Sequence, residues 1–139
     1  MSDLEKGIIT VDGREYYDIT NKVKNFVAEK SPAYTIQAWM RSNNTIQYFK
    51  IWEEYHNPNF NIEGCEKLLK ELKEQNFILT PKRWIEATSA VGIISKQGKG
   101  GGTYVVLHFL FDFLYYVSPQ FRYNMMAIYD LNKQVEKLK

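Results

Sequence analysis

Residues able to do chemistry are few in this chain, and they concentrate in the segment Lys96–Tyr104. It reads Lys-Gln-Gly-Lys-Gly-Gly-Gly-Thr-Tyr and holds two Lys and no acid between Lys96 and Thr103. Gly98, Gly100, Gly101 and Gly102 lack a Cβ, so their backbone N–H groups can approach an anion closely. Lys96 and Lys99 add mobile cations that displace counterions from a phosphate backbone. Thr103 and Tyr104 add hydroxyls, and the Gln97 amide has the donor and acceptor that pair with an adenine edge. A basic hairpin turn with no ligand fits the same residues.

Other chemistries fail on spacing. A phosphate loop needs Gly where Ile93 stands and Ser or Thr after Lys99, where Gly100 stands. A dinucleotide fingerprint needs a βαβ unit with a downstream acid, and none surrounds these glycines. The two histidines, His56 and His108, have no Cys or His at metal-ligand spacing. His56, in His-Asn-Pro-Asn, reads as a turn residue. His108, among Val106, Leu107 and Phe109, reads as partly buried with its ring N–H on backbone. Cys65 sits on an apolar helical face, as structural thiols do. Glu53 and Glu54 are adjacent and diverge on a helix, so they form no acid–base pair. The expectation is a non-enzyme with no metal and no cofactor.

The elements that position the segment read as follows. Gly7–Val11 and Arg14–Tyr17 are strand-like around Asp12-Gly13, a two-residue turn signal, so residues 1–18 are expected to form an N-terminal hairpin. Asp18 or Thr20 caps a helix running to about Lys30, with Val23, Phe26 and Val27 on one face. Ser31-Pro32 starts a second helix through Met40. A third spans Asn44–Tyr55 and is broken at His56-Asn57-Pro58-Asn59. A fourth runs from Ile62 to Gln75, with Cys65, Leu68, Leu69 and Leu72 inward. Thr80-Pro81 opens a fifth, to about Ala90, with Trp84, Ile85 and Thr88 inside and Lys82, Arg83 and Glu86 outside. Ile93–Lys96 and Thr103–Val106 are two short strands around the glycines. Leu107–Val117 reads as a mostly buried helix, and Ser118-Pro119 begins a C-terminal helix over 119–139.

Bulk properties set the frame. A chain of 139 residues suits one domain, and 45% hydrophobic residues suffice for a core. A single cysteine excludes an internal disulfide. No secretory leader and no stretch of ~20 apolar residues is visible, so a cytoplasmic protein with no membrane partner is expected. The net charge of +2 excludes a globally basic surface but leaves room for a local cationic site. By contrast with the hairpin, Glu63–Glu74 holds four acids and three Lys.

The order helix, short turn, helix, hairpin matches a winged helix-turn-helix, in which one helix enters the major groove and the hairpin touches phosphate or minor groove. Lys82 and Arg83 at the start of the fifth helix, with Lys96, Lys99 and Thr103, are the candidate phosphate contacts. In the last helix, Phe121, Met125, Ile128, Leu131, Val135 and Leu138 recur at spacings of three and four. Two readings stay open: a helix packed on its own domain, and a seam for a second copy or another protein.

Residues 39–121 resemble a KilA-N domain. The resemblance rests on Trp39, Asn43-Asn44-Thr45-Ile46 with Phe49, and Trp52 with His56-Asn57-Pro58-Asn59-Phe60-Asn61. It continues through Phe77–Thr80, Lys82, Trp84, Ile85, Thr88, Gly92-Ile93 and Ser95-Lys96. Gly101-Gly102-Thr103-Tyr104, Phe111-Asp112-Phe113 and Ser118-Pro119-Gln120-Phe121 complete it. It implies a helix-rich α+β fold similar to APSES domains, with a winged helix-turn-helix-like core, an N-terminal β-hairpin and C-terminal helices, in a single domain over 1–139. It implies double-stranded DNA as partner, and a phage-derived or regulatory setting such as an antirepressor. The chain departs from the family pattern at Val105-Val106, where an Ala-His pair is usual, and at Tyr116, where Trp is usual. The first departure makes the hairpin's exit more apolar, either burying it or creating a protein-binding patch. The alternative function is accordingly a protein-interaction module, for example an antirepressor or an antagonist of a host protein, that keeps the fold without DNA binding.

Overall fold

The computed structural model describes residues 7–23, 31–98 and 101–139. The N-terminal hairpin forms as its turn signal predicts: β1 (Ile8–Val11) and β2 (Arg14–Asp18) flank Asp12 and Gly13, whose φ values of 51° and 78° suit a type I′ turn. Asp18 caps α1 (Ile19–Val23), its Oδ1 accepting from the Asn21 N–H at 3.1 Å. The expected continuation to Lys30, with Phe26 and Val27, lies outside the described residues, as do Lys99 and Gly100.

The remaining helices are α2 (Pro32–Met40), α3 (Asn43–His56), α4 (Ile62–Gln75), α5 (Pro81–Thr88), α6 (Leu107–Val117) and α7 (Pro119–Lys137). Ser31, Asn61, Thr80 and Ser118 each cap the following helix through a side-chain oxygen. Three of these caps precede Pro at the helix start, where its missing N–H costs nothing. The second hairpin consists of β3 (Ile93–Lys96) and β4 (Gly102–Val105).

The two hairpins form one antiparallel sheet in the order β1-β2-β4-β3, a junction that no local sequence signal announces. Tyr17 pairs with Val105 and Asp18 with Tyr104 across it. The Thr103 N–H donates to Thr20 Oγ1 at 2.8 Å, tying the same junction to α1. The N-terminal hairpin therefore braces the second one. Val105 and Val106, the apolar exit from β4, are buried rather than offered to a partner.

The core is aromatic. Trp39 packs edge-on against Phe49 and Phe113, each at 5.0 Å, and Phe49 meets Phe109 at 4.4 Å. Such pairs add about 0.5–1.5 kcal/mol each beyond area burial. α6 supplies Phe109, Leu110, Phe113 and Leu114 to this core. Its opposite side is less covered than expected: Leu107, His108 and Tyr116 are exposed, because a helix with one buried stripe turns these positions outward. His108 is thus a surface residue, correcting the expected partial burial. His56 closes α3 instead of lying in the turn, stacked on Trp52 with ring centroids 4.4 Å apart.

The fate of α7 departs from the self-packed reading. Phe121 meets Phe111 and Tyr115 at 5.5 and 5.7 Å, but no residue of α7 is buried. Ile128, Leu131, Val135 and Leu138 are exposed.

Candidate nucleic-acid interface

Helices α4 and α5 meet at unusually close range. A Cβ on Gly64 would lie 1.9 Å from the Ala87 carbonyl oxygen, so only glycine permits this approach. The turn between them is fixed at both ends. Asn76 takes the left-handed conformation (φ 46°) at the α4 C-cap, and buried Leu79 anchors the chain before the Thr80 cap. On the inner side of α5, Trp84 and Thr88 are fully buried. On its outer side Lys82 and Glu86 are exposed. Arg83 is exposed too, but it has a partner within the fold: its Nη2 lies 3.3 Å from Glu71 Oε2 and its guanidinium 3.7 Å from the Phe77 ring centre.

Beyond α5 the chain enters β3 through a buried polar hub. Glu53 of α3 is wholly buried and accepts three N–H bonds. Oε1 takes the Val91 N–H and Asn57 Nδ2, both at 2.9 Å, while Oε2 takes the Gly92 N–H at 2.7 Å. Asn57 Nδ2 also reaches the Ser89 carbonyl at 2.9 Å. Sequence reasoning missed this hub, treating Glu53 only as a failed acid–base partner of Glu54. The available signal was Asn57 four residues on, since i and i+4 share a helix face. The hub fixes where β3 starts, and so where the second hairpin projects.

On that hairpin Lys96 and Gln97 are exposed, as is Gly98 with φ 86°. The return strand folds tightly over the turn: a Cβ on Gly101 would lie 2.3 Å from the Lys96 carbonyl oxygen. Lys96 Nζ stands 5.3 Å from the Tyr104 ring centre, a cation–π arrangement. Gln97 Nε2 donates to Ser95 Oγ at 3.3 Å. Thr103 is mostly buried, at 8% exposure; its N–H donates to Thr20 Oγ1, which seats the hairpin, and the residue lines the groove at the hairpin's base.

The hairpin does not stand alone. A groove of about 200 Å³ is lined by Thr20, by Ala33 and Gln37 of α2, by Pro81 of α5, and by Ser95 and Lys96 of β3. The first turns of α2 and α5 therefore open beside the lysine-bearing strand. The positive ends of both macrodipoles and the Lys96 ammonium favour a negative ligand there. Pro32 and Pro81 carry no N–H, and the Tyr34 and Arg83 N–H groups are taken by the Ser31 and Thr80 caps. Among the described residues no carboxylate lies within ion-pair distance of Lys96 or Lys82.

A model of the KilA-N domain matches residues 3–134. The chain belongs to the KilA-N domain family. KilA-N domains are DNA-binding at the level of the family, in keeping with a cationic groove beside a hairpin. No curated protein and no solved structure matches the chain.

A second concavity of this KilA-N domain lies between α3 and α6. It measures about 380 Å³ and is lined by Tyr48, Leu107, His108, Phe111, Asp112 and Tyr115. Burial raises the Asp112 carboxyl above its ordinary pKa, opposed by the hydrogen bond it accepts from Trp39 Nε1 at 2.9 Å. Burial, and secondarily the Asp112 charge, raises the Tyr48 phenol. Among the described residues no group of three or more metal-ligand side chains comes together, and no helix is long and apolar enough to cross a membrane.

Proposed function

We propose that this KilA-N domain binds double-stranded DNA through the β3–β4 hairpin and the start of α5, without catalysis. The observation that carries the reading is the groove in which Lys96, the α5 start and the α2 start converge. In this arrangement α5 faces the major groove and Lys96 on β3 follows the phosphates, with Lys99, three residues on in the sequence, as a further contact. Lys82 contacts a phosphate at the α5 start, and Gln97 is the residue placed to reach a base edge. Arg83 contributes less than its charge suggests, being held by Glu71 and Phe77. The reading includes a regulatory role, in which DNA occupancy by this domain controls transcription.

The test is fluorescence anisotropy on random duplexes with Lys96→Ala, Lys99→Ala and Lys82→Ala. Removing any one of these phosphate-binding lysines is expected to weaken binding to all sequences and to lower the log–log salt slope by about 0.9. Gln97→Ala is expected to act on some sequences only. Unchanged affinity in all four variants refutes the assignment.

A second reading, a protein-interaction module, is favoured by the apolar hollow between Tyr48, Leu107, Phe111 and Tyr115. Aromatic walls with a single carboxylate suit a partner's side chain better than a phosphate. A chain that shows no salt-dependent DNA affinity, yet whose partner binding is lost on Leu107→Glu, would establish that reading in place of the first.

A further inference from the structure

We infer that α7 is one half of a parallel two-stranded coiled coil, so that the occupant of its bare face is a second copy of this chain. The helix continues for several turns beyond Phe121, its last ring contact with the domain. On the far part Ile128 is 51% exposed, Leu131 60%, Val135 45% and Leu138 88%. A monomer has no reason to keep four large aliphatic side chains aligned in water.

The residue types identify what covers them. With Ile128 at heptad position a, Leu131 falls at d, Val135 at a and Leu138 at d. In parallel coils, β-branched residues at a with Leu at d favour two strands over three or four. The charges agree with that register. Arg122, Asp130, Lys133, Glu136 and Lys137 all fall at b, c or f, away from the seam. The positions that flank a seam, e and g, hold Met125, Ala127, Asn132 and Gln134, leaving Lys139 the only charge there. A second copy thus meets an apolar stripe with no like charges opposed along its length, whereas a partner chosen by charge finds no partner charges on this face. Tyr123, Met126 and Tyr129 are exposed on the other side of α7, interleaved with those charges, and form no continuous stripe.

The seam is short, in the small and weak class of interfaces below about 1,200 Å². The dimer is therefore expected to be reversible and concentration-dependent. Sedimentation of the full chain over about 5–500 µM should show monomer passing to dimer, and Leu131→Glu with Val135→Glu should hold it as monomer. Both sites are exposed, so an unchanged circular dichroism melt shows that the variant still folds. Orientation is read from Leu138→Cys, since d positions face each other only in the parallel register. Mild oxidation should yield a disulfide-linked dimer, and native Cys65 is buried and does not compete. Monomer at every concentration overturns the inference. So does a dimer untouched by the Glu variants, or a Leu138→Cys chain that dimerises without cross-linking.

Discussion

Replacing Glu53 by Ala tests the part of the fold that aims the hairpin. The carboxylate is wholly buried and takes the Val91 N–H, the Gly92 N–H and Asn57 Nδ2 at 2.7–2.9 Å. Alanine leaves all three donors without that acceptor. A buried donor left unpaired costs about 1–3 kcal/mol, so the simple sum is about 3–9 kcal/mol. Two effects lower it. The Asn57 amide keeps its second acceptor, the Ser89 carbonyl, and water can enter the space vacated by the carboxylate. The expected loss is about 3–5 kcal/mol, a large part of the 5–15 kcal/mol that holds a typical domain together. In a chain of this length that is roughly 10–15 °C in Tm. Glu53→Gln keeps the volume but presents an amide NH₂ where an acceptor is needed, and should lose about 1–3 kcal/mol. Urea titration followed by tryptophan fluorescence gives both values. An alanine variant within about 1 kcal/mol of the parent would show that these hydrogen bonds do not hold β3 in place.

Gly64→Ala should destabilise by at least the roughly 1–3 kcal/mol of an overpacked core, because its methyl would meet the Ala87 carbonyl at 1.9 Å and force α4 off α5; thermal melts check this. For Asp112, burial raises the folded-state pKa above the unfolded value. Its contribution to stability is thus full below the unfolded pKa and is lost as pH rises through the folded one. Asp112→Asn keeps an oxygen for Trp39 Nε1 and removes the buried charge, so its stability relative to the parent should rise from acid to neutral pH in parallel urea titrations. A constant difference across that range would exclude the desolvated carboxylate as the cause.

Much of the fold was legible because it is local. Ser31-Pro32, Thr80-Pro81 and Ser118-Pro119 announce helix starts through cap and proline chemistry that needs no distant partner. Asp12-Gly13 announces the first hairpin in the same way. The joining of the two hairpins was not legible, since pairing Tyr17 with Val105 depends on packing between residues far apart in the chain. The same limit hid the Glu53 hub, whose donors come from the α5–β3 turn. For the candidate site, Lys96, Gln97 and Lys82 are exposed as their types suggested. Arg83 faces outward as expected, but residue type does not reveal its Glu71–Phe77 cradle, nor the bond from the Thr103 N–H to Thr20. The α7 stripe was visible as periodicity, but its exposure needed the structure.

Phosphate binding by the hairpin and the α5 start is what salt dependence reads. The most direct measurement is anisotropy of a labelled random duplex titrated with this chain at several salt concentrations. DNA held in this way should give a straight log–log plot with a negative slope of about 0.9 for each phosphate held, shallower when Lys96 is replaced by Ala. A flat plot, or no binding even at the lowest salt, would contradict it.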